Sequence, residues 1–280
     1  MLVRLEFQLI IPKFMMRKIV FISFIFCFVC AYKTQAQTDS SRTFIAKDSV
    51  RIHYEVRGTG FPVVLVHGFI VTGETWKKAA LYTELLKQGY QVITLDLRGN
   101  GKSDKPHESR YYENDAQAKD IIDIVSSLGI SAYHVIGYSR GSIITARLLV
   151  LDKRIKKAVI GGMGAEFTNP EWPRRIQFYH ALMGENVPEL AGMVANVQKS
   201  GLDQLALAYQ QKEQPSTSKK ELSKIKKQVL VICGTEDKDN GLGTDLAKLI
   251  PASVYKEVPG NHNNALGTKE FAETVISFFQ

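Results

Sequence analysis

The chain has 280 residues, 45% of them hydrophobic and 23% charged, with a formal net charge of +8 and three cysteines. These values exclude a disordered, collagen-like or disulfide-stapled chain. No period of 20–50 residues recurs, which excludes solenoid and propeller arrays.

The first segment stands apart. Arg17 and Lys18 precede an apolar run of 14 residues, Ile19 to Tyr32, and a polar stretch with small residues, Lys33 to Gln37, follows it. A basic region, a short apolar core and a small residue at a cut site describe a secretory signal peptide over residues 1–36, with export to the periplasm or the medium. The run is shorter than the ~20 residues of a membrane-spanning helix. An uncleaved anchor and a lipid on Cys30 are the alternatives, although Phe28-Val29 stand where a lipoprotein signal carries small residues. Met15 and Met16 offer alternative translation starts. Cleavage after Ala36 removes five basic residues (Arg4, Lys13, Arg17, Lys18, Lys33) and one acid (Glu6), leaving +4 on residues 37–280. That charge, without a basic helix interleaved with aromatics, predicts no nucleic-acid partner. The expected partner is a small-molecule substrate, with no stable membrane association once the signal is gone. Cys233, the one cysteine left, ends an apolar run and reads as a small buried hydrophobe.

Strands and helices then alternate. Ser49 to Val56 alternates in polarity and reads as an antiparallel edge strand. Pro62 to Val66 is continuously apolar, as strands covered on both faces are, and Gln91 to Leu95 reads as the next buried strand. Between them Glu74 to Lys87 reads as one amphipathic helix. Asp115 to Leu128 is helical, Tyr133 to Ile136 a strand, Gly141 to Leu151 a helix and Lys157 to Ile160 a strand. About 60 strand-free residues follow, 164–222, broken by prolines, which predicts a small helical lid. Its Phe167, Trp172, Phe178, Tyr179 and Met183 are the candidates for an apolar substrate pocket, with simple packing against the sheet as the alternative. The strand Gln228 to Cys233, a helix at Thr244 to Ile250, the strand Ser253 to Glu257 and a helix from Lys269 to Phe279 close the chain. Such alternation predicts an α/β fold with a largely parallel sheet and helices on both faces.

The chemistry gathers where strands hand over to helices. Gly137-Tyr138-Ser139-Arg140-Gly141 joins a strand to a helix, and a G-x-S-x-G turn there is sharp enough to need its glycines. A serine nucleophile needs a base. His262 lies in a loop after a strand, where open α/β sheets place their chemistry, whereas His53 and His134 lie within strands and His180 in the lid. The base needs an acid. Asp237 in Gly234-Thr235-Glu236-Asp237 is favoured over Glu236, Asp239 and Glu166. Backbone N–H groups of Arg140 and Phe69 are placed to hold an oxyanion, with His67 structural. No cofactor is implied, and no cluster with metal-ligand spacing is seen.

HGF at 67–69, DLRGNGKSD at 96–104, GYSRG at 137–141, GTED at 234–237 and GNH at 260–262 together resemble the α/β-hydrolase family over about residues 43–280. The resemblance implies an eight-stranded, mostly parallel sheet, a helical cap after the sixth strand, a Ser139–His262–Asp237 triad and an oxyanion hole at Phe69 and Arg140. Asp96, Arg98 and Asp104 then organise loops. Serine at 139 disfavours the family's dehalogenases and epoxide hydrolases, which use aspartate there. Ser142 replaces a glycine common in relatives, a change expected to matter little. The function expected is that of an exported hydrolase of small or medium carboxylic esters acting through an acyl-enzyme. Lactone, thioester, amide or C–C bond cleavage and cofactor-free perhydrolysis are the alternatives within catalysis, and a non-catalytic binding protein is the alternative outside it.

Overall fold

The computed structural model describes residues 40–280; the expected signal peptide, residues 1–36, lies outside the described residues. Eight strands form one sheet: β1 (Ser40–Ile45), β2 (Arg51–Arg57), β3 (Pro62–Val66), β4 (Gln91–Leu95), β5 (Tyr133–Tyr138), β6 (Ile155–Gly161), β7 (Gln228–Gly234) and β8 (Ser253–Val258). Their order is β1-β2-β4-β3-β5-β6-β7-β8. β1 and β2 run antiparallel, as do β2 and β4, and every later pairing is parallel.

Two expectations are corrected. The SVRIHYEV segment is not the edge of the sheet, because β1 pairs outside it, with Thr43 opposite His53 and Phe44 opposite Ile52. The stretch from Glu74 to Lys87 is two helices, α1 (Glu74–Lys77) and α2 (Ala80–Lys87), since Ala79 is extended at φ −83°, ψ 143°. The remaining connections are α3 (Ala116–Ser127), α4 (Arg140–Leu151), α9 (Gly243–Leu249) and α10 (Lys269–Phe279). Between β6 and β7 lie α5 (Pro173–Leu182), α6 (Ala191–Lys199), α7 (Gln204–Lys212) and α8 (Lys219–Leu222). Pro173 opens α5, where its missing N–H leaves no helical bond unmade. Asp203 caps α7, and Ser218 with Glu221 forms a reciprocal cap on α8.

Side chains alternate across a strand, and that alternation divides the core in two. Val64 and Val66 of β3 pack with Ile93, Val135, Ile121, Ile143, Leu148 and Leu246, on the face covered by α3, α4 and α9. Val63 and Leu65 face the other way, onto Trp76, Leu81, Leu85, Phe271 and Val275 of α1, α2 and α10. Each fully buried Leu or Ile contributes roughly 1.5–3 kcal/mol by leaving water, so the two faces hold the strand ends in place. Cys233 is buried within β7, and burial pushes its thiol up to about 11. A third, smaller cluster (Leu182, Val197, Leu207, Ala208) holds α5, α6 and α7 together, with Phe69 and Ile70 against it. That contact sets the helical insertion over the loop that leaves β3.

Candidate active site

Ser139 sits at a strained turn of the backbone. It joins β5 to α4 at φ 54°, ψ −122°, a conformation that side-chain-bearing residues rarely adopt. Both neighbouring glycines are required: a Cβ at Gly137 would stand 2.2 Å from the Gly141 carbonyl oxygen, and one at Gly141 would stand 2.1 Å from that of Val66. The strained turn is held from two sides. The Ser139 N–H donates to Gly161 O at 2.8 Å, and the buried Ser142 hydroxyl lies 3.0 Å from Gly137 O and 2.7 Å from Gly161 O. Ser142 therefore ties β5 to β6 directly beneath the elbow, a role its sequence position did not suggest.

His262 and Asp237 arrive on the loops after β8 and β7. The loops fit together because Gly234 has no side chain; a Cβ there would stand 2.2 Å from Gly260 O. His262 Nε2 lies 2.9 Å from Ser139 Oγ, and its Nδ1 lies 3.0 Å from each carboxylate oxygen of Asp237. A carboxylate only accepts, so Nδ1 carries the proton and Nε2 presents a lone pair to the serine hydroxyl. Asp237 is buried, while Glu236, Asp239 and Glu166 are exposed and none of them bonds to His262. The other histidines are tied elsewhere. His53 bonds to Asp96, His134 accepts the Lys157 N–H, and exposed His180 meets Glu185.

The loop after β3 approaches the serine closely: a Cβ at Gly68 would stand 3.6 Å from that of Ser139. His67 shapes this loop. Its Nδ1–H donates to Gly68 O at 2.7 Å and its Nε2 accepts the Leu97 N–H at 2.9 Å. Burial pushes its imidazole down to about 4, so the ring is neutral at physiological pH. Asn100 clamps the carbonyls of Phe69 and Val71. Phe69 follows directly, and the Arg140 N–H lies in the first turn of α4, where amides have no acceptor within the helix. The DLRGNGKSD segment is scaffolding: Asp96 accepts from Gly73 and Lys102, Asp104 pairs with Arg51, and Arg98 pairs with Asp120 and Asp48.

Ser139 and His262 open on a cavity of about 500 Å³ beneath the helices between β6 and β7. Of the five predicted pocket residues, Trp172 and Phe178 line it, Phe178 standing edge-on to Phe69 at 5.9 Å between ring centres. The other three do not. Phe167 is buried in the core against the sheet, Tyr179 packs on the Leu182 cluster, and Met183 is exposed. The sequence reading missed Trp76, Met163, Met193, Arg175 and Asn240, which also line the cavity. Asn240 was findable, since it lies three residues past Asp237 in the same loop; the others had no signal in the sequence.

Residues 62–197 match the model of the alpha/beta hydrolase fold family. Among curated proteins, the chain is 33% identical over 122 residues to a non-heme chloroperoxidase of Streptomyces lividans, covering 42% of this chain and 43% of that one. It is 41% identical over 101 residues to epoxide hydrolase 4 of Mus musculus, covering 35% and 27%. The chain spans less than half the length of the curated relatives it matches. Among solved structures, a Rhodococcus esterase superposes with a TM-score of 0.64 at 25% identity, covering 85% of this chain and 98% of that one.

Proposed function

This chain belongs to the α/β-hydrolase fold family, and on that premise we propose that it is a serine hydrolase of small or medium carboxylic esters. Ser139 Oγ adds to the ester carbonyl carbon while its proton passes to His262 Nε2. Asp237 holds the imidazole in the required tautomer and stabilises the imidazolium. The N–H groups of Phe69 and Arg140 receive the oxyanion. The C–O bond to the alcohol then breaks, the alcohol leaving with the proton from His262. Water, giving a proton to the same nitrogen, attacks the acyl-enzyme and releases the acid with Ser139 restored.

The observation that carries this reading is the unbroken sequence of contacts from Ser139 Oγ through the imidazole to Asp237, at 2.9 and 3.0 Å, opening on a cavity rather than buried in the core. Similarity to an esterase and a chloroperoxidase supports it. The chloroperoxidase match also favours a second reading, in which hydrogen peroxide replaces water at the acyl-enzyme and yields a peracid. The epoxide hydrolase match weighs less, because Ser139 occupies the position at which those enzymes carry aspartate. Residues 1–36 are proposed to direct export.

The test is turnover of p-nitrophenyl acetate and butyrate, with and without peroxide, by wild type and Ser139→Ala. Loss of kcat by a factor on the order of 10⁶ in the variant is expected; unchanged turnover overturns the reading.

A further inference from the structure

Arg140 directly follows Ser139, lines the cavity and is 3% exposed. Its backbone opens a twelve-residue helix, the end at which the helix dipole favours negative charge. Its neighbours are neutral amides: Nη2 donates to Gln117 Oε1 at 2.5 Å and Nη1 to Gln214 Oε1 at 3.5 Å. Nε has no hydrogen-bond partner. The contrast is Arg98, equally buried, which has Asp120 at 2.6 Å and Asp48 at 2.7 Å. Among the described residues no carboxylate lies within ion-pair distance of Arg140.

A second guanidinium, that of Arg175 on α5, lines the same cavity and opposes the Arg140 charge. Its donors go to the carbonyls of Gln211, Lys212 and Pro170, so it too lacks a countercharge. Burial, with Arg175 adding to it, pushes the Arg140 guanidinium down to about 9, which leaves it charged at neutral pH. The acids that line the cavity, Glu189 and Asp239, are exposed to solvent. A buried charge without a partner is strongly unfavourable. The residues lining the cavity thus include a buried cation without a countercharge, next to the nucleophile, and a second cation, Arg175, paired only with backbone carbonyls.

We propose that the cavity takes esters bearing a free carboxylate, such as half-esters of dicarboxylic acids, and that the Arg140 side chain, with Arg175, receives that carboxylate. The proposal rests on the serine-hydrolase reading and names its substrate class. A carboxylate supplies the missing countercharge, and guanidinium groups match carboxylates in both shape and charge. Arg140 then serves one substrate twice, its N–H at the reacting carbonyl and its side chain at the distal anion.

The experiment compares kcat/KM of the wild-type protein for monomethyl esters of the succinate-to-suberate series with methyl esters of monocarboxylic acids of matching length. At least one half-ester is expected to exceed its neutral counterpart about tenfold or more. That ratio is expected to fall towards one in Arg140→Met and to be partly kept in Arg140→Lys. Calorimetric binding of adipate to wild type, weakened in Arg175→Met, reads the same site if Arg140→Met does not fold or no ester turns over. Neutral esters hydrolysed at least as well as every half-ester, with no adipate bound, overturns the proposal while leaving the hydrolase reading intact. Adipate bound by a chain that turns over no ester and resists fluorophosphonate labelling overturns the hydrolase reading instead.

Discussion

Tyr138 donates its phenolic hydroxyl to the backbone carbonyl of His262 at 2.9 Å, tying the residue before the serine to the residue that carries the base. The two rings lie 5.5 Å apart between centres. Tyr138→Phe keeps the packing and removes this tether. A drop of about 1 kcal/mol in stability is expected. We predict a fall of about tenfold in kcat with little change in KM, because the imidazole loses its fixed position relative to Ser139. Steady-state kinetics on an ester substrate checks it; an unaltered kcat contradicts it.

Asp237→Asn leaves the shape of the loop but allows the wrong histidine tautomer. A loss in kcat on the order of 10⁴ is expected, by the reasoning that applies to any Ser-His-Asp arrangement. Glu236→Gln, one residue away and exposed, is expected to stay within about twofold of wild type. Equal effects of the two substitutions would remove Asp237 from its role.

Glycine positions separate cleanly by what surrounds them. Gly141→Ala places a methyl 2.1 Å from Val66 O, a backbone atom that cannot yield without moving β3. A loss of several kcal/mol is expected, seen as a fall in Tm of about 10 °C or more. Gly192, in α6 with nothing within 4 Å of an added Cβ, is the opposite case. Gly192→Ala is expected to raise stability by about 0.5–1 kcal/mol through helix propensity, about 1–4 °C in Tm.

Two buried histidines predict how stability depends on pH. His67 and His134 are each pushed down to about 4, chiefly by burial. Each ring also uses a nitrogen lone pair to accept a backbone N–H, from Leu97 and Lys157, and protonation would abolish that bond. The unfolded chain binds these protons near pH 6.5. Between about pH 6.5 and 4 the unfolded state therefore holds more protons than the native state, and stability falls as pH is lowered through that window. Urea midpoints measured from pH 7 to 4.5 are expected to decline, with a shallower slope in His134→Gln. A flat profile over that range contradicts the account.

The parts of this fold that are legible in sequence are those dictated by local chemistry. PVVLV announces a buried strand because its run is continuously apolar, and G-Y-S-R-G announces its turn because no larger residue fits at 137 or 141. β1 was hidden because it hangs at the edge of the sheet: Ile45 is 66% exposed, and no side chain from Ser41 to Ile45 is buried. The break at Ala79 was hidden because Lys77-Lys78-Ala79-Ala80 are all good helix formers, so propensity alone runs one helix through it. The pocket was half legible for the same reason. Sequence names Phe178 and Tyr179 as aromatic, but the turn of α5 sends one into the cavity and its neighbour onto Leu182. The missing countercharge of Arg140 is a property of its surroundings, so no reading of residues one at a time contains it.

The central claim is that Ser139 is an activated nucleophile open to solvent, and intact-mass analysis after exposure to a fluorophosphonate probes it most directly. We predict one covalent adduct per chain on the wild-type protein, none on Ser139→Ala and a sharply slowed reaction on His262→Ala. A wild-type chain that stays unmodified, or an adduct that persists when the serine is gone, contradicts the account.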